Sequence, residues 1–468
     1  MPESLIPLFY PRPTAEVAGP PNLPTLNYTG LPVALSSVYP PPDPLPKPSL
    51  PSGQREPIWG DDDRIPYTLT THIVPAAYFR EDEDIVLPNT PSADGSMTKE
   101  ERKVCIQRAD LKLRELRRKY EDEGRRPQHK ALWLCLNRYV RKHTKGGLTL
   151  FFAHANGFHK ETWEPTIMSL LSSRESQSLV QEIWVWEACN HGDSALLNSG
   201  KLNTLIHTRT AARDLLNFLI YFLPSTSGLS PLPTHIPRVT QSEAQRRIRS
   251  GFLSPDSPRY PICAVGHSFG GTISTLTAMS HPSLFSSLFL VDPVITYPNP
   301  EFYYTPSSLA LGALGRRESW KSREDARKGF LESDFFRAWD PRILDLYVEA
   351  ALYQDQDTIR LKTSPIQEAI VFIDAGTGAP EAWVRLWRKE LDSRIKLRWA
   401  MPGPGKPDER LDPRRNATRD RVWLRPENCS NVRIEGSGHL IAQERPALLG
   451  KEIAKFIEET LPESRARL

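Results

Sequence analysis

The chain has 468 residues, enough for a sizeable core, and its 60 basic and 56 acidic side chains leave a formal charge of +4. Hydrophobic residues make up only 39%, a share lowered by a proline-rich head that holds 16 of the 44 prolines within residues 1–57. Near-balanced charge weighs against a dedicated nucleic-acid binder. Five cysteines without CxxC spacing weigh against a disulfide scaffold or structural zinc, and no apolar run reaches the roughly 18 residues needed to span a bilayer.

Residues 1–66 read as a disordered or extended arm. PPPDPLPKPSLP is polyproline-like and can join neither a helix nor a ladder. A solvated extension is the plain expectation, and a docking tail for a polyproline-binding partner the alternative. The start, MPESLIPLFYPRP, has no basic stretch leading into an apolar one, so no signal peptide is expected. The sequons at Asn27, Asn416 and Asn428 then read as chance matches.

Residues 67–80 and 131–140 predict strands. Between them, residues 99–128 are charged and helix-prone, with acids interleaved among bases, and predict a helical surface insertion. From residue 147 short apolar runs alternate with helix-length stretches: GLTLFFAHA, EIWVWEA, YPICAVGHS, SLFLVDPVI, IKLRWAMP and NVRIEGSGH. That rhythm predicts an α/β fold with a mostly parallel central sheet flanked by helices. Residues 223–260, rich in Pro, Ser and Arg, predict a surface loop insertion. Residues 297–365 break the rhythm and predict a helical lid, so the core comprises 67–296 and 366–468. The terminal Ala466-Arg467-Leu468 matches the small–basic–leucine form of a peroxisomal import tail, which predicts the peroxisome matrix and recognition by its import receptor.

The strongest chemical signal is Gly266-His267-Ser268-Phe269-Gly270-Gly271, a G-x-S-x-G between a predicted buried strand and a predicted helix. Such a turn is strained, and glycines let backbone pack against backbone around it. It lifts the Ser268 hydroxyl above the sheet and aims the Phe269 N–H at a developing oxyanion. A serine hydroxyl needs a general base. His439, in GSGHL between the last strand and last helix, has the chain order for that role. His267 is expected to pack within the elbow.

The acid that orients the base is less sharply marked. Asp292 ends the strand after the elbow and is followed by Pro293, which stops the strand. Asp408 and Asp412 follow the next strand in a loose PGPGKPDERLDPRR segment. Both placements reach the same sheet edge, and Asp292 is favoured. A second oxyanion donor is expected from His154-Ala155-Asn156-Gly157-Phe158, with Ala155 and Asn156 as the leading positions. Asn190-His191-Gly192-Asp193-Ser194 reads equally as a pocket floor or as a plain turn.

HANGF, GHSFGG, a strand ending in VDP and a late GSGH resemble the α/β-hydrolase superfamily across residues 147–468. HANGFHKETWEP, NHGDSA and LVDPV, with the terminal tripeptide, are similar to fungal peroxisomal hydrolases, including acyl-CoA hydrolases of mycophenolic acid biosynthesis and proteins of host-selective toxin pathways. The resemblance implies an acid after the strand that follows the elbow, hence Asp292. It also implies an acyl-CoA substrate cleaved to acid and thiol through Ser268, Asp292 and His439.

Arg316, Arg317, Lys321 and Arg323 are candidates to meet CoA phosphates. Tyr303, Tyr304, Trp320, Phe335, Phe336 and Trp339 are candidates for an aromatic acyl pocket, or for ordinary lid packing. No cofactor loop and no HExxH around His154 and His159 is present, so neither cofactor nor metal is expected. The alternatives are a lipase-like carboxylesterase and a catalytically silent interaction protein working through its proline-rich head.

Overall fold

The computed structural model describes residues 8–20, 34–91, 96–123, 128–143, 146–228, 231–254, 257–299, 305–374, 377–404 and 417–465. Asn27, Tyr303, Tyr304, Asp408, Asp412, Asn416 and Ala466-Arg467-Leu468 lie outside these. The strands are β1 (Tyr67–Pro75), β2 (Trp133–Arg141), β3 (Leu148–Ala153), β4 (Val180–Trp186), β5 (Ile262–His267), β6 (Phe285–Val291), β7 (Ser319–Trp320), β8 (Leu352–Asp355), β9 (Thr358–Leu361), β10 (Lys396–Pro402) and β11 (Cys429–Ile434). Eight of them form one sheet in the order β1-β2-β4-β3-β5-β6-β10-β11. The pairings β1·β2 and β2·β4 are antiparallel, and the remaining five are parallel. The mostly parallel sheet flanked by helices is the architecture the alternating runs predict.

The central strands are buried on both faces, which is why they read as continuous apolar runs. In β3, Phe151 and Ala153 enter one core while Leu150 and Phe152 enter the other. The first core is closed by the helices Thr208–Asn217, Phe269–Ser280 and Gly378–Trp387; the second is closed by Glu164–Leu170 and Pro446–Arg465. The helix Phe269–Ser280 shows which effect wins. Its sequence, FGGTISTLTAMS, is a poor helix former, with two glycines that cost about 1 kcal/mol each against alanine. Burying Ile273, Leu276 and Met279 returns about 1.5–3 kcal/mol apiece. Ser274, Thr275 and Thr277 turn their hydroxyls onto carbonyls four residues earlier, each at 2.8 Å.

The predicted insertion helix is present as Lys99–Glu123, but one face is buried. Ala109 and Leu113 join the core, and Arg117 pairs with Asp374 at 3.1 Å. The segment expected to form a lid contains the helices Ser308–Leu314, Arg323–Leu331, Asp334–Arg337 and Pro341–Ala350, each opened by a capping Ser307, Ser322, Ser333 or Asp340. It is not purely helical: β7, β9 and β8 form a small antiparallel sheet within it. Two-residue and four-residue strands are too short to show an alternating pattern.

Two further expectations are corrected. Residues 223–260 are not only a surface loop. They hold the helix Gln241–Ser250, whose buried Arg247 donates to the carbonyls of Leu219 and Leu223, and Arg259 pairs with buried Glu182 at 2.7 Å. The described part of the head is extended, but it is a strap on the body rather than a solvated arm. Trp387 Nε1 donates to Val17 O at 3.0 Å, Arg213 to Ser37 O at 2.9 Å, and Ser52 Oγ to Asp193 at 2.6 Å, while Arg55 pairs with Glu164. A polyproline conformation leaves its carbonyls unpaired, and long-range side-chain donors take them up here.

Candidate active site

Ser268 sits between β5 and the helix Phe269–Ser280 with φ 53° and ψ −116°, a conformation a non-glycine residue holds only when its surroundings overdetermine it. They do. The Ser268 N–H donates to Val291 O at 3.0 Å, and the Gly270 N–H to His154 O at 3.1 Å. A Cβ on Gly266 would lie 2.6 Å from Gly270 O, and one on Gly270 would lie 2.4 Å from Ala153 O. Only glycine permits these backbone contacts, so the local sequence and the strained turn explain each other.

The turn directs the Ser268 hydroxyl to His439 Nε2 at 3.1 Å. His439 Nδ1 in turn lies 2.7 Å from Asp292 Oδ2. Asp292 follows β6, is buried, and also adopts a positive φ of 32°. Its N–H donates to Ala400 O of β10 at 2.8 Å, fixing the strand end against its neighbour. His439 keeps 41% of its side chain accessible, while Ser268 is buried. His267 donates through Nε2 to His439 O at 2.9 Å and tethers the loop that carries His439. Burial first, and then the nearby His439, push His267 down to about 3, so it stays neutral and acts as a structural donor.

The loop after β3 faces the elbow. Of its candidate amides, Gly157 donates to His191 Nε2 at 3.0 Å and Phe158 to Ala155 O at 3.2 Å. The amides of Ala155, Asn156 and Phe269 make no hydrogen bond among the described residues. Gly157 has φ +82°, and a Cβ there would lie 2.7 Å from Glu368 Oε1. Asn156 Nδ2 donates to Glu368 O at 2.9 Å, locking the loop to the helix Pro365–Asp374.

Asn190–Ser194 lies behind this loop. His191 Nδ1 donates to Asn190 Oδ1 at 2.8 Å, which leaves Nε2 free to accept from Gly157. Asp193 takes both Lys160 and Lys362 at 2.7 Å, and Ser194 N donates to Glu187 Oε2 at 2.9 Å. Burial opposes the Lys160 charge, but Asp193, Glu161 and Glu187 hold its pKa well above the ordinary value. Burial raises Glu187 against the pull of Lys160. This buried charge network was invisible in the sequence reading, because one-dimensional hydropathy assigns every Lys, Glu and Asp to the surface. Arg421 was also missed: its guanidinium lies 2.8 Å from Asp292 Oδ1, reached from a helix that carries no motif.

Several expected substrate contacts are otherwise engaged. Arg316 pairs with Glu368 at 2.7 Å, Arg317 donates to Ser319 O at 2.8 Å, and Arg323 donates to the carbonyls of Val348, Glu349 and Leu352. Lys321 is exposed. Arg317 and Arg323 thus bond within the 297–365 segment and Arg316 ties it to the helix Pro365–Asp374, so the four do not form one phosphate-binding cluster. Trp320, Phe336 and Trp339 pack with Phe330 and Tyr347, while Phe335 is partly exposed at the edge. This cluster still bears on the site, because the Phe158 ring lies 5.4 Å from that of Trp339 at a tilt of 47°, and Leu440, next to His439, packs against the cluster. Among the described residues no group of three or more His, Cys, Asp and Glu is placed to hold a metal ion.

The chain is 27% identical over 248 residues to the type I acyl-CoA thioesterase mpaH of Penicillium roqueforti, an alignment covering 50% of this chain and 49% of that protein. It is 38% identical over 109 residues to the Abhydrolase domain-containing protein ACTT2-1 of Alternaria alternata, covering 23% of this chain and 39% of the relative. The matched region thus spans half or less of these relatives' own lengths. In three dimensions it is similar to the peroxisomal alpha-beta-hydrolase Lpx1 of Saccharomyces cerevisiae, with a TM-score of 0.56, 17% identity, and coverage of 85% of this chain and 90% of the yeast chain. The sequence model of the alpha/beta hydrolase family matches residues 150–451, which hold Ser268, Asp292 and His439, and the chain belongs to that family.

Proposed function

We propose that this protein is a serine hydrolase that cleaves acyl thioesters, with an acyl-CoA as substrate. The observation that carries the reading is the hydrogen-bonded line from Ser268 Oγ to His439 (3.1 Å) and on to Asp292 (2.7 Å). In the proposed reaction Ser268 attacks the carbonyl while His439 Nε2 takes its proton. Asp292 holds the imidazole with Nδ1 protonated and offsets its charge. The tetrahedral oxyanion is received by the Phe269 N–H together with the Ala155 or Asn156 N–H. His439 returns the proton to the departing thiolate. Water, deprotonated by His439, then releases the acid and restores Ser268. Likeness to the Penicillium thioesterase supports a thioester over an oxygen ester. A peroxisomal setting is supported by the description of the yeast protein.

The test is hydrolysis of a panel of acyl-CoAs and p-nitrophenyl esters by wild type and Ser268→Ala. Release of free CoA that falls by about 10⁶-fold in the variant is expected, since members of such a triad act as a unit. Cleavage of oxygen esters alone would replace the thioesterase reading with a carboxylesterase. No Ser268-dependent turnover of either class would remove the hydrolase reading.

A further inference from the structure

We infer that Arg421 is a positioning residue for the proposed triad, holding Asp292 so that its second oxygen meets His439. The inference rests on the Ser268–His439–Asp292 reading. The guanidinium reaches two adjacent points: one nitrogen lies 2.8 Å from Asp292 Oδ1, and the other donates to Pro293 O at 3.0 Å. A planar fork that spans a carboxylate and the next backbone carbonyl fixes the side chain relative to the main chain, which a single point charge does not. The other carboxylate oxygen is then aimed at His439 Nδ1, 2.7 Å away.

The need for such a clamp follows from the backbone. Asp292 is a non-glycine residue at φ 32°, directly after β6, where the parallel ladder to β10 ends at Val291 and Ala400. Strained positions persist only where neighbours overdetermine them. The Arg421 fork ties this residue to the helix Ala417–Val422. That helix is itself anchored just after Arg421. Val422 is buried in the main core, and Trp423 Nε1 donates to Tyr10 O of the head strap at 2.9 Å. The Arg421 side chain is 17% accessible and Asp292 4%, so the pair sits below the surface where geometry is held.

The experiment compares Arg421→Gln, Arg421→Lys and Asp292→Asn in the full chain, reading kcat and KM for an acyl-CoA substrate alongside the unfolding midpoint. A positioning role predicts that Arg421→Gln lowers kcat by about 10²-fold with KM unchanged, the loss that follows from displacing a reacting group by roughly 1 Å. Arg421→Lys restores the charge but not the fork and should recover only part of that loss. If Arg421→Gln fails to fold, Arg421→Lys alone carries the test through its lowered kcat at wild-type KM and midpoint. Wild-type kcat in both variants, beside an inactive Asp292→Asn, overturns the inference and leaves the triad standing. Loss appearing only in the unfolding midpoint also overturns it. Full activity in Asp292→Asn removes the triad reading itself, and the role of Arg421 with it.

Discussion

Gly270→Ala should cripple turnover, because the new methyl group has no room between two halves of one site. The added Cβ would stand 2.4 Å from Ala153 O and 2.7 Å from His154 O, both backbone atoms that cannot swing aside. A carbon normally approaches a carbonyl oxygen to about 3.3 Å, so β3 and the elbow helix must separate by about 0.9 Å. That movement stretches the Gly270 N–H to His154 O bond, now 3.1 Å, and draws the Phe269 amide away from those of Ala155 and Asn156. A shift of roughly 1 Å at a reacting centre costs about 10²-fold in rate, and overpacking costs about 1–3 kcal/mol of stability. The gain in helix propensity from Gly to Ala, about 1 kcal/mol, does not offset both. Gly312→Ala is the control, since a Cβ there meets nothing within 4 Å in the helix Ser308–Leu314. It should raise stability by about 0.5–1 kcal/mol and leave kcat/KM unchanged. The assay is kcat/KM for acyl-CoA hydrolysis with urea unfolding of both variants. Wild-type activity and stability in Gly270→Ala would refute the argument.

Two other outcomes follow from buried charge. Burial pushes His72 and His154 down to about 4 from an ordinary 6.5, and His267 to about 3. The unfolded chain therefore binds protons first as pH falls, so stability present above pH 6.5 is lost progressively toward 4, by up to about 1.4 kcal/mol per pH unit for each histidine. Glu187, raised by burial, acts in the opposite sense and offsets about one of the three. Urea midpoints at about pH 7, 6 and 5 should fall in that order, and a flat or rising series would contradict the assignment. Arg80→Met should cost about 3–5 kcal/mol in the same unfolding assay, because it leaves buried Asp82 and Asp214 without their shared cation. A loss below about 1 kcal/mol would show that these carboxylates find other partners.

The parts of this molecule that were readable from sequence are those whose physics is local. A G-x-S-x-G between an apolar run and a helix-length stretch carries its own structural reason, since the strained Ser268 and its flanking glycines are neighbours in the chain. The placements of His439 after the last strand and of Asp292 where Pro293 stops β6 are likewise local features of the chain. The two-sided core was readable because Leu148–Ala153 and Phe285–Val291 carry no alternation. What was not readable depends on pairing across long separations. Ser52 meets Asp193 and Arg55 meets Glu164, so the proline-rich head is held by partners more than a hundred residues away. Lys160, Asp193 and Lys362 are hydrophilic one at a time and buried only together.

These non-local pairings bear on the proposed chemistry. The amides offered to an oxyanion come from two separate turns, after β3 and after β5, and their spacing must be held to a fraction of an ångström. On the facing side, backbone contact at Gly270 sets that spacing. On the outer side it is set by His191, Asn156 and Glu368, and beneath them by the Lys160–Asp193–Lys362 charges and Ser52 of the strap. Buried charges are weak contributors to net stability, because desolvation consumes most of their attraction. Their directional bonds nevertheless restrict the loop to one arrangement. The charges that hydropathy places on the surface are, in this reading, what keeps the loop after β3 rigid enough to complete the site.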